Sequence, residues 1–333
     1  MMISNKDVSN VNRIIEEIID LYKEQTVDSP RDWRTYEERV AFRIRKAMEE
    51  LEPLINEAVS TIRIVRDDPR GRHADLSLKQ KTSLLLLKHL FQRSNREMSA
   101  MLVVFSLLSG IDVSYKTVER LYSDENVTLV LHNLHQLLLK KKGVQTANTT
   151  GDGTGYTLTI KKHYATETST RKEKAKKSTK TMKFAYRFRL MDLDTRMYLA
   201  SGASFRSEND AYLKAMTMAK ELHIELESIR LDKYYSGQSR IKFLTEQFDG
   251  ITIYVLPKKN STIRGSTAWK KMLHHYTTDP HGYLEEYYRR NQSESGFSED
   301  KRRMGWKIAQ QLPERIDTAE TLTTLWHNLF WLN

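Results

Sequence analysis

The stretch Tyr287–Lys301, YYRRNQSESGFSEDK, sets one aromatic, two cations and one carboxylate at a regular spacing. Tyr287, Arg290, Glu294 and Lys301 follow one another in steps of three, four and seven residues. Each of those steps returns to the same face of an α-helix. An apolar stripe at this spacing would belong to a core, whereas a mixed-charge stripe with a single acid points to a site. One carboxylate seldom holds a hard divalent cation by itself, so Glu294 needs acidic partners from elsewhere in the chain.

Two acids qualify by position. Asp152, in GDGTGY, falls immediately before or at the start of the first strand of the second half of the chain. Asp232, in IRLDKYYS, directly follows a short strand at Ile229–Leu231. Acids at the ends of neighbouring strands converge, and a helix packed on their sheet can bring a third. Three carboxylates so placed can bind two Mg²⁺ ions (or Mn²⁺) about 4 Å apart, which clamps the attacking and leaving oxygens in phosphoryl transfer. Gly153 and Gly155 would let a phosphate backbone approach closely. Asp-x-Gly-x-Gly is also an ordinary turn, and a strand-end acid often only faces water. The conjunction of both acids, in chain order ahead of the Tyr-Arg-Glu-Lys stretch, carries the reading.

Further upstream the chain reads as helical. Val11, Ile14, Ile15, Ile18, Ile19 and Leu21 repeat at helical spacing. Ser29-Pro30 offers a cap and first-turn proline for a helix from Asp32 to Ile62, with Val40, Ile44, Met48, Leu51 and Ile55 on its apolar side and a kink or break at Pro53. Asp67–Asp75 reads as a loop and Leu78–Gln92 as a further helix. Over residues 96–122 a helix from Arg96 to Leu108, a turn at Ser109-Gly110 and a second helix capped by Ser114 form a helix-turn-helix pattern. Its second helix would present Tyr115, Lys116 and Arg120 to DNA, although a plain helical hairpin has the same signature. A helix over Asn126–Lys140 ends at a Gly143 cap. The polar, glycine-rich run after it marks a boundary, giving a helical DNA-binding domain over 1–145 and an α/β domain over 146–333.

Within the second domain Tyr156, Leu158 and Ile160 alternate as in a half-buried strand. Phe184–Leu193 and Met197–Phe205 read as two more strands, followed by a helix over Glu208–Leu222, the Ile229 strand, a helix over Gln238–Gln247, a strand over Ile251–Leu256 and an amphipathic C-terminal helix over Leu322–Leu332. Three strands, helix, strand, helix, strand and a last helix is the element order of the ribonuclease H-like fold.

Composition agrees with a nucleic-acid partner. The 333 residues carry a formal net charge of +11. From Lys161 to Arg189 there are eleven Lys or Arg against two acids. The mobile, basic loop expected over 161–183 would cover bound DNA with Lys172, Lys174, Lys176 and Lys177, and neutralising them would flatten the salt dependence of binding. No cysteine is present, which excludes disulfides and thiolate metal sites. No run approaches the roughly 18 apolar residues of a membrane span. The opening MMISNKDVSN lacks the basic-then-apolar pattern of a secretory signal, so the expected location is the cytoplasm, at the nucleoid.

These residues resemble a known family. Asp152 in DGTGY, Asp232 in LDKYYS and the Tyr287, Arg290, Glu294, Lys301 spacing look like the DDE transposases of bacterial and archaeal insertion sequences, in the group with the Y-R-E-K signature (insertion sequence family four and its relatives). The likeness covers roughly Thr150–Leu332, and the helical part resembles what archaeal members place ahead of the catalytic domain. It implies that Asp152, Asp232 and Glu294 form a metal triad for two Mg²⁺ ions. Tyr287, Arg290 and Lys301 would hold the transposon end. The implied reactions are hydrolysis at the 3′ end of the element and attack of the freed 3′-hydroxyl on target DNA, with self-association in the DNA complex. Several relatives carry a substantial β insertion between the second aspartate and the glutamate. Here that interval has little room for one, and Ser261–Lys271, with Arg264, Trp269 and Lys270, is the candidate substitute that touches DNA.

Other patterns are weaker. His274, His275 and His281, with Asp279, match no structural zinc spacing. His132 and His135 lie on an apolar helix and read as packing residues. Two alternatives to a transposase stay open at this point: a non-catalytic DNA-binding protein derived from one, and a metal-dependent DNA nuclease that never rejoins strands.

Overall fold

The computed structural model describes residues 3–25, 32–63, 76–92, 97–109, 112–158, 184–310 and 312–333. Its first part is helical: α1 (Asn5–Gln25), α2 (Trp33–Ser60), α3 (Leu78–Leu90), α4 (Met98–Ser109), α5 (Tyr115–Leu121) and α6 (Glu125–Lys142). Caps explain most of the starts and stops. Asp32 accepts from the backbone N–H groups of Arg34 and Thr35 and begins α2. That corrects the cap expected at Ser29-Pro30, residues that lie outside the described ones. Pro53 neither breaks nor divides α2, which is assigned continuously across it. Ser77 and Gln80 form a capping box at α3, Ser114 caps α5, and α6 stops at Gly143 in the left-handed conformation (φ 78°). The loop expected at Asp67–Asp75 falls outside the described residues.

The second part is a mixed α/β unit. Its strands are β1 (Thr146–Leu158), β2 (Phe184–Asp192), β3 (Tyr198–Ser204), β4 (Glu225–Leu231), β5 (Thr252–Tyr254) and the short β6 (Lys307–Ile308). They lie in the order β3-β2-β1-β4-β5. β2 runs antiparallel to β1 and β3, while β1, β4 and β5 are parallel. β1 pairs with β4 up to Gly151↔Leu231, and β6 takes over the same edge from Thr157↔Lys307. The glycine-rich run expected to mark a boundary is strand: Thr146–Leu158 is one thirteen-residue strand in the middle of the sheet, and Asp152, expected before or at the start of a strand, lies at its middle, which is a correction.

Helices α7 (Glu208–Glu221) and α8 (Gln238–Gln247) follow β3 and β4, and α9 (Thr267–Thr278), α10 (Pro280–Tyr288) and α11 (Asn291–Met304) come after β5. Phe188 of β2 points to the α7 side, where its ring meets Tyr212 edge-on at 5.1 Å. Arg187 and Arg189, one residue to either side, point to the opposite face. Both are fully buried there, Arg187 paired with Glu320 and Arg189 with Asp300. They thus leave the basic cluster counted from the sequence, because their charge is neutralised inside the protein.

Glu320 belongs to the last helix, α12 (Pro313–Trp331). It was expected to be amphipathic, yet thirteen of its nineteen residues are buried. The sheet covers one side and α2, α3 and α6 cover the other. One hydrophobic cluster accordingly runs from Val8 through Leu86 and Leu134 to Trp326 and Phe330. A helix buried on all sides loses the polar face that would betray its orientation.

Candidate active site

The site forms where β1 parts from β4. Leu231 is the last β4 residue paired with β1, and Asp232 follows it, turning the chain into a short 3₁₀ turn at Lys233–Tyr235. The Asp232 side chain fixes that turn by accepting from the Tyr234 N–H at 2.9 Å. Asp152 follows Gly151, the register partner of Leu231, so the two acids occupy equivalent positions on adjacent parallel strands, whose spacing is about 4.8 Å. The Gly153 N–H donates to Asp152 Oδ1 at 2.8 Å.

The Tyr-Arg-Glu-Lys residues arrive on two helices rather than one. α10 ends at Tyr288, and Arg290 is the N-cap of α11, with helical backbone at both Arg289 and Arg290. The break is slight enough to keep Tyr287, Arg290 and Glu294 together. The Arg290 guanidinium lies 5.4 Å from the Tyr287 ring centre, 3.2 Å from Glu294 Oε1 and 3.7 Å from Asp232 Oδ1. β4 is tied to α10 by Arg230, which pairs with Glu286 and donates from Nε to the Glu286 carbonyl at 3.0 Å. That tie holds Arg290 beside Asp232.

Asp152 senses the same group of charges. Burial pushes its carboxyl up to about 6, and the Glu294 and Asp232 carboxylates push the same way against the Gly153 N–H and Arg290. Three acids therefore face a single guanidinium. Their oxygen donors suit a hard divalent cation. Among the described residues, however, no group of three or more His, Asp or Glu side chains stands close enough to ligate one. Arg290 holds two of the three acids itself.

Lys301 sits apart from this cluster, farther along β1. Its Nζ donates to Thr154 Oγ1 at 2.7 Å and lies 5.2 Å from the Tyr156 ring centre. Burial, Arg189 and Arg187 all lower its pKa. Since Asp152, Thr154 and Tyr156 share one face of β1, α11 spans that face from Glu294 near its start to Lys301 near its end. Tyr287 is 3% exposed, so it braces Arg290 from behind instead of offering a surface.

Other expected contacts divide. Lys116 and Arg120 are exposed on α5 and Tyr115 is partly buried there. Arg264 and Lys270 are exposed, but Trp269 is a correction: it is buried and its indole donates to the Thr262 carbonyl at 2.8 Å. The interval from Asp232 to Glu294 holds the 3₁₀ turn, α8, β5, α9 and α10, with no further strand. Lys172, Lys174, Lys176 and Lys177 lie outside the described residues. His274, His275 and His281 are exposed, and His135 packs in the core with Nε2 3.0 Å from the Tyr198 carbonyl.

Two features escaped the sequence reading. Glu208, the first residue of α7, places its carboxyl in the space that a side chain on Gly153 would fill, and it accepts from the Tyr235 hydroxyl at 2.5 Å. Glycines inside a strand are the available signal, since they mark close approach. Asp300, next to Lys301, gathers Arg189, the Tyr198 hydroxyl at 3.0 Å and His327 Nδ1 at 2.8 Å. Burial alone would raise its carboxyl, but His327 and Arg189 hold it at about 2. This buried knot anchors α11 to β2 and α12. The alternating Arg187 and Arg189 hint at it in the sequence.

The chain matches no protein-family model. It is 40% identical over 331 residues to a protein of Archaeoglobus fulgidus described as a probable transposase for insertion sequence element ISA1214, an alignment that covers 98% of this chain and 96% of that protein.

Proposed function

The chain belongs to the insertion-sequence transposases, and we propose that it cuts and joins DNA by the metal-dependent DDE route, with Asp152, Asp232 and Glu294 as the catalytic carboxylates. The observation that carries this reading is the meeting of the three acids around Arg290, from β1, the end of β4 and α11. The strand order β3-β2-β1-β4-β5, with β2 antiparallel to its neighbours, supports a ribonuclease H-like catalytic domain over 146–333.

Bound between these carboxylates, two Mg²⁺ ions would activate the nucleophile and absorb the charge that develops on the scissile phosphate. The chain's own residues have distinct tasks. The three acids supply the oxygen donors. Arg290, braced by Tyr287, is the cation placed to leave its carboxylates for a DNA phosphate once other positive charge arrives, and a guanidinium matches a phosphate with paired donors. Lys301 would hold a second phosphate farther along β1. The helices of 1–145 would read the element's ends through α4 and α5, with Tyr115, Lys116 and Arg120 toward DNA. Two ends must be brought together, so the working form on DNA is a self-associated one.

The test is incubation of the protein with duplexes bearing the element's ends, Mg²⁺ and a target plasmid. Asp152→Ala, Asp232→Ala and Glu294→Ala should each reduce cleavage and joining to the level seen with a chelator, while end binding persists. Substantial cleavage by any of the three would remove the triad. Cleavage by the parent chain with no joined product would leave a nuclease instead.

A further inference from the structure

α11 has a second charged face. Ser295, Glu299 and Arg302 lie roughly 100° around the helix from Glu294 and Lys301. They line a cleft of about 260 Å³, which Tyr36, Arg39 and Arg43 of α2, Arg196 of the β2–β3 turn and Trp331 complete. Four guanidinium groups thus border one concavity, with Glu299 as the acid among its lining residues. That acid is already shared. It lies 3.6 Å from Arg43 and 2.6 Å from Arg303, which is not among the cleft's lining residues.

Three observations say that the positive charge is held there for an occupant. Arg43 and Arg196 both lie over the Trp331 ring, at 3.7 Å and 5.0 Å from its centre, so one aromatic face gathers two guanidinium groups at the cleft. The Trp331 indole N–H is buried with no hydrogen-bond partner. Arg196 has a φ of 62°, in the left-handed region that favours glycine and that costs another residue on the order of 1 kcal/mol. A glycine there would ease the turn and lose the guanidinium. Crowding is also felt by Arg43: burial lowers its pKa, and Arg303, Arg196 and Arg39 lower it further against the single opposing pull of Glu299.

We infer that this cleft, formed by Arg39, Arg43, Arg196 and Arg302 over Trp331, binds the phosphodiester backbone of DNA at a stretch beyond the strand held by the three carboxylates. Guanidinium forks match phosphate oxygens with paired donors, which a sequence-independent contact to the backbone requires. The inference rests on DNA being the partner and not on the metal chemistry, so its test is run in a chelator, where failure of the catalytic reading cannot affect it.

Arg39 and Arg196 are exposed, which makes them safe to change without disturbing the core. Binding of a labelled duplex carrying the element's end is followed by fluorescence anisotropy over a salt series, with unfolding curves to confirm that both proteins are folded. For Arg39→Gln combined with Arg196→Gln, the slope of log affinity against log salt should fall by about two, one for each phosphate contact removed. An unchanged slope overturns the inference. The cysteine-free chain permits a second measurement. Arg39→Cys should cross-link to a duplex bearing a thiol tether on its backbone, while Ser60→Cys, about 30 Å away along the same helix, should not. Equal cross-linking at the two positions overturns it as well.

Discussion

Lys88 of α3 is a buried cation whose nearest polar partner is a neutral hydroxyl. Its Nζ donates to the Tyr122 hydroxyl at 2.7 Å and lies 4.3 Å from that ring's centre, with the residue 2% exposed. Burial lowers its pKa from 10.5 to about 7, and Glu119 offsets only part of that. The folded chain therefore binds this proton less tightly than the unfolded chain does. Stability from this group is present above pH 10.5 and is lost as pH falls through about 7. Lys88→Met should remove that dependence, making the variant more stable than the parent by on the order of 1–2 kcal/mol near neutral pH and below. At high pH the advantage should vanish. Urea unfolding of both proteins across that pH range checks it. A stability difference that does not change with pH would mean that the amine is not desolvated as the structure implies.

At the scale of elements, the glycines of β1 separate two kinds of close packing. A methyl on Gly151 would sit 2.4 Å from the Phe188 ring and 3.1 Å from Leu231, both rigid core groups. A methyl on Gly153 would instead meet the Glu208 carboxyl at 2.1 Å, the far end of a flexible side chain. Gly151→Ala should therefore cost roughly 2–3 kcal/mol by overpacking, and Gly153→Ala distinctly less. Adding Glu208→Ala should abolish most of the Gly153→Ala cost and leave that of Gly151→Ala untouched. Chemical denaturation of the parent, Glu208→Ala, the two glycine variants and the two double variants decides it, and equal costs at the two glycines would contradict the packing. The same strand shows why the sequence was partly opaque. Its polar, glycine-rich composition marks a boundary in the sequence, whereas Gly151 and Gly153 serve close approach to Phe188 and Glu208. Alternating Glu225 and Glu227 likewise hid the first half of β4, whose outward residues are charged. Where caps or period-two patterns act locally, as at Ser114, Gly143 and β2, the reading and the structure agree to within a residue or two. Asp232 was legible because it stands where β4 ends, whereas Asp152, expected at the start of a strand, lies inside β1 at the point where that strand parts from β4. Arg290 bridging Asp232 and Glu294 was not legible, since the bridge depends on how α10 docks against β4.

The whole molecule is organised around α12, and this links the helical part to the sheet. The Trp326 indole donates to the Leu86 carbonyl at 2.9 Å, Thr318 Oγ1 to the Tyr122 carbonyl at 2.8 Å, and Lys142 Nζ to the Leu332 carbonyl at 3.0 Å. Arg315 pairs with Glu119 of α5. On its other side α12 offers Glu320 to Arg187 and packs along β3. The helices of 1–145 therefore complete the core on which α11, and with it Glu294, rests. A fragment of residues 146–333 would expose the α2, α3 and α6 side of α12, including Trp326, which is fully buried in the intact chain. Expressed alone it should aggregate or behave as a molten globule, with dye-binding apolar surface and no cooperative melting. Co-expression with residues 1–145 as a separate chain should restore a soluble, cooperatively unfolding pair. In the intact protein Trp326→Ala should cost about 3–5 kcal/mol, since its ring is fully buried between the helical part and the sheet. A cooperative transition for the isolated fragment close to that of the full chain would show instead that the sheet stands without its helical cover.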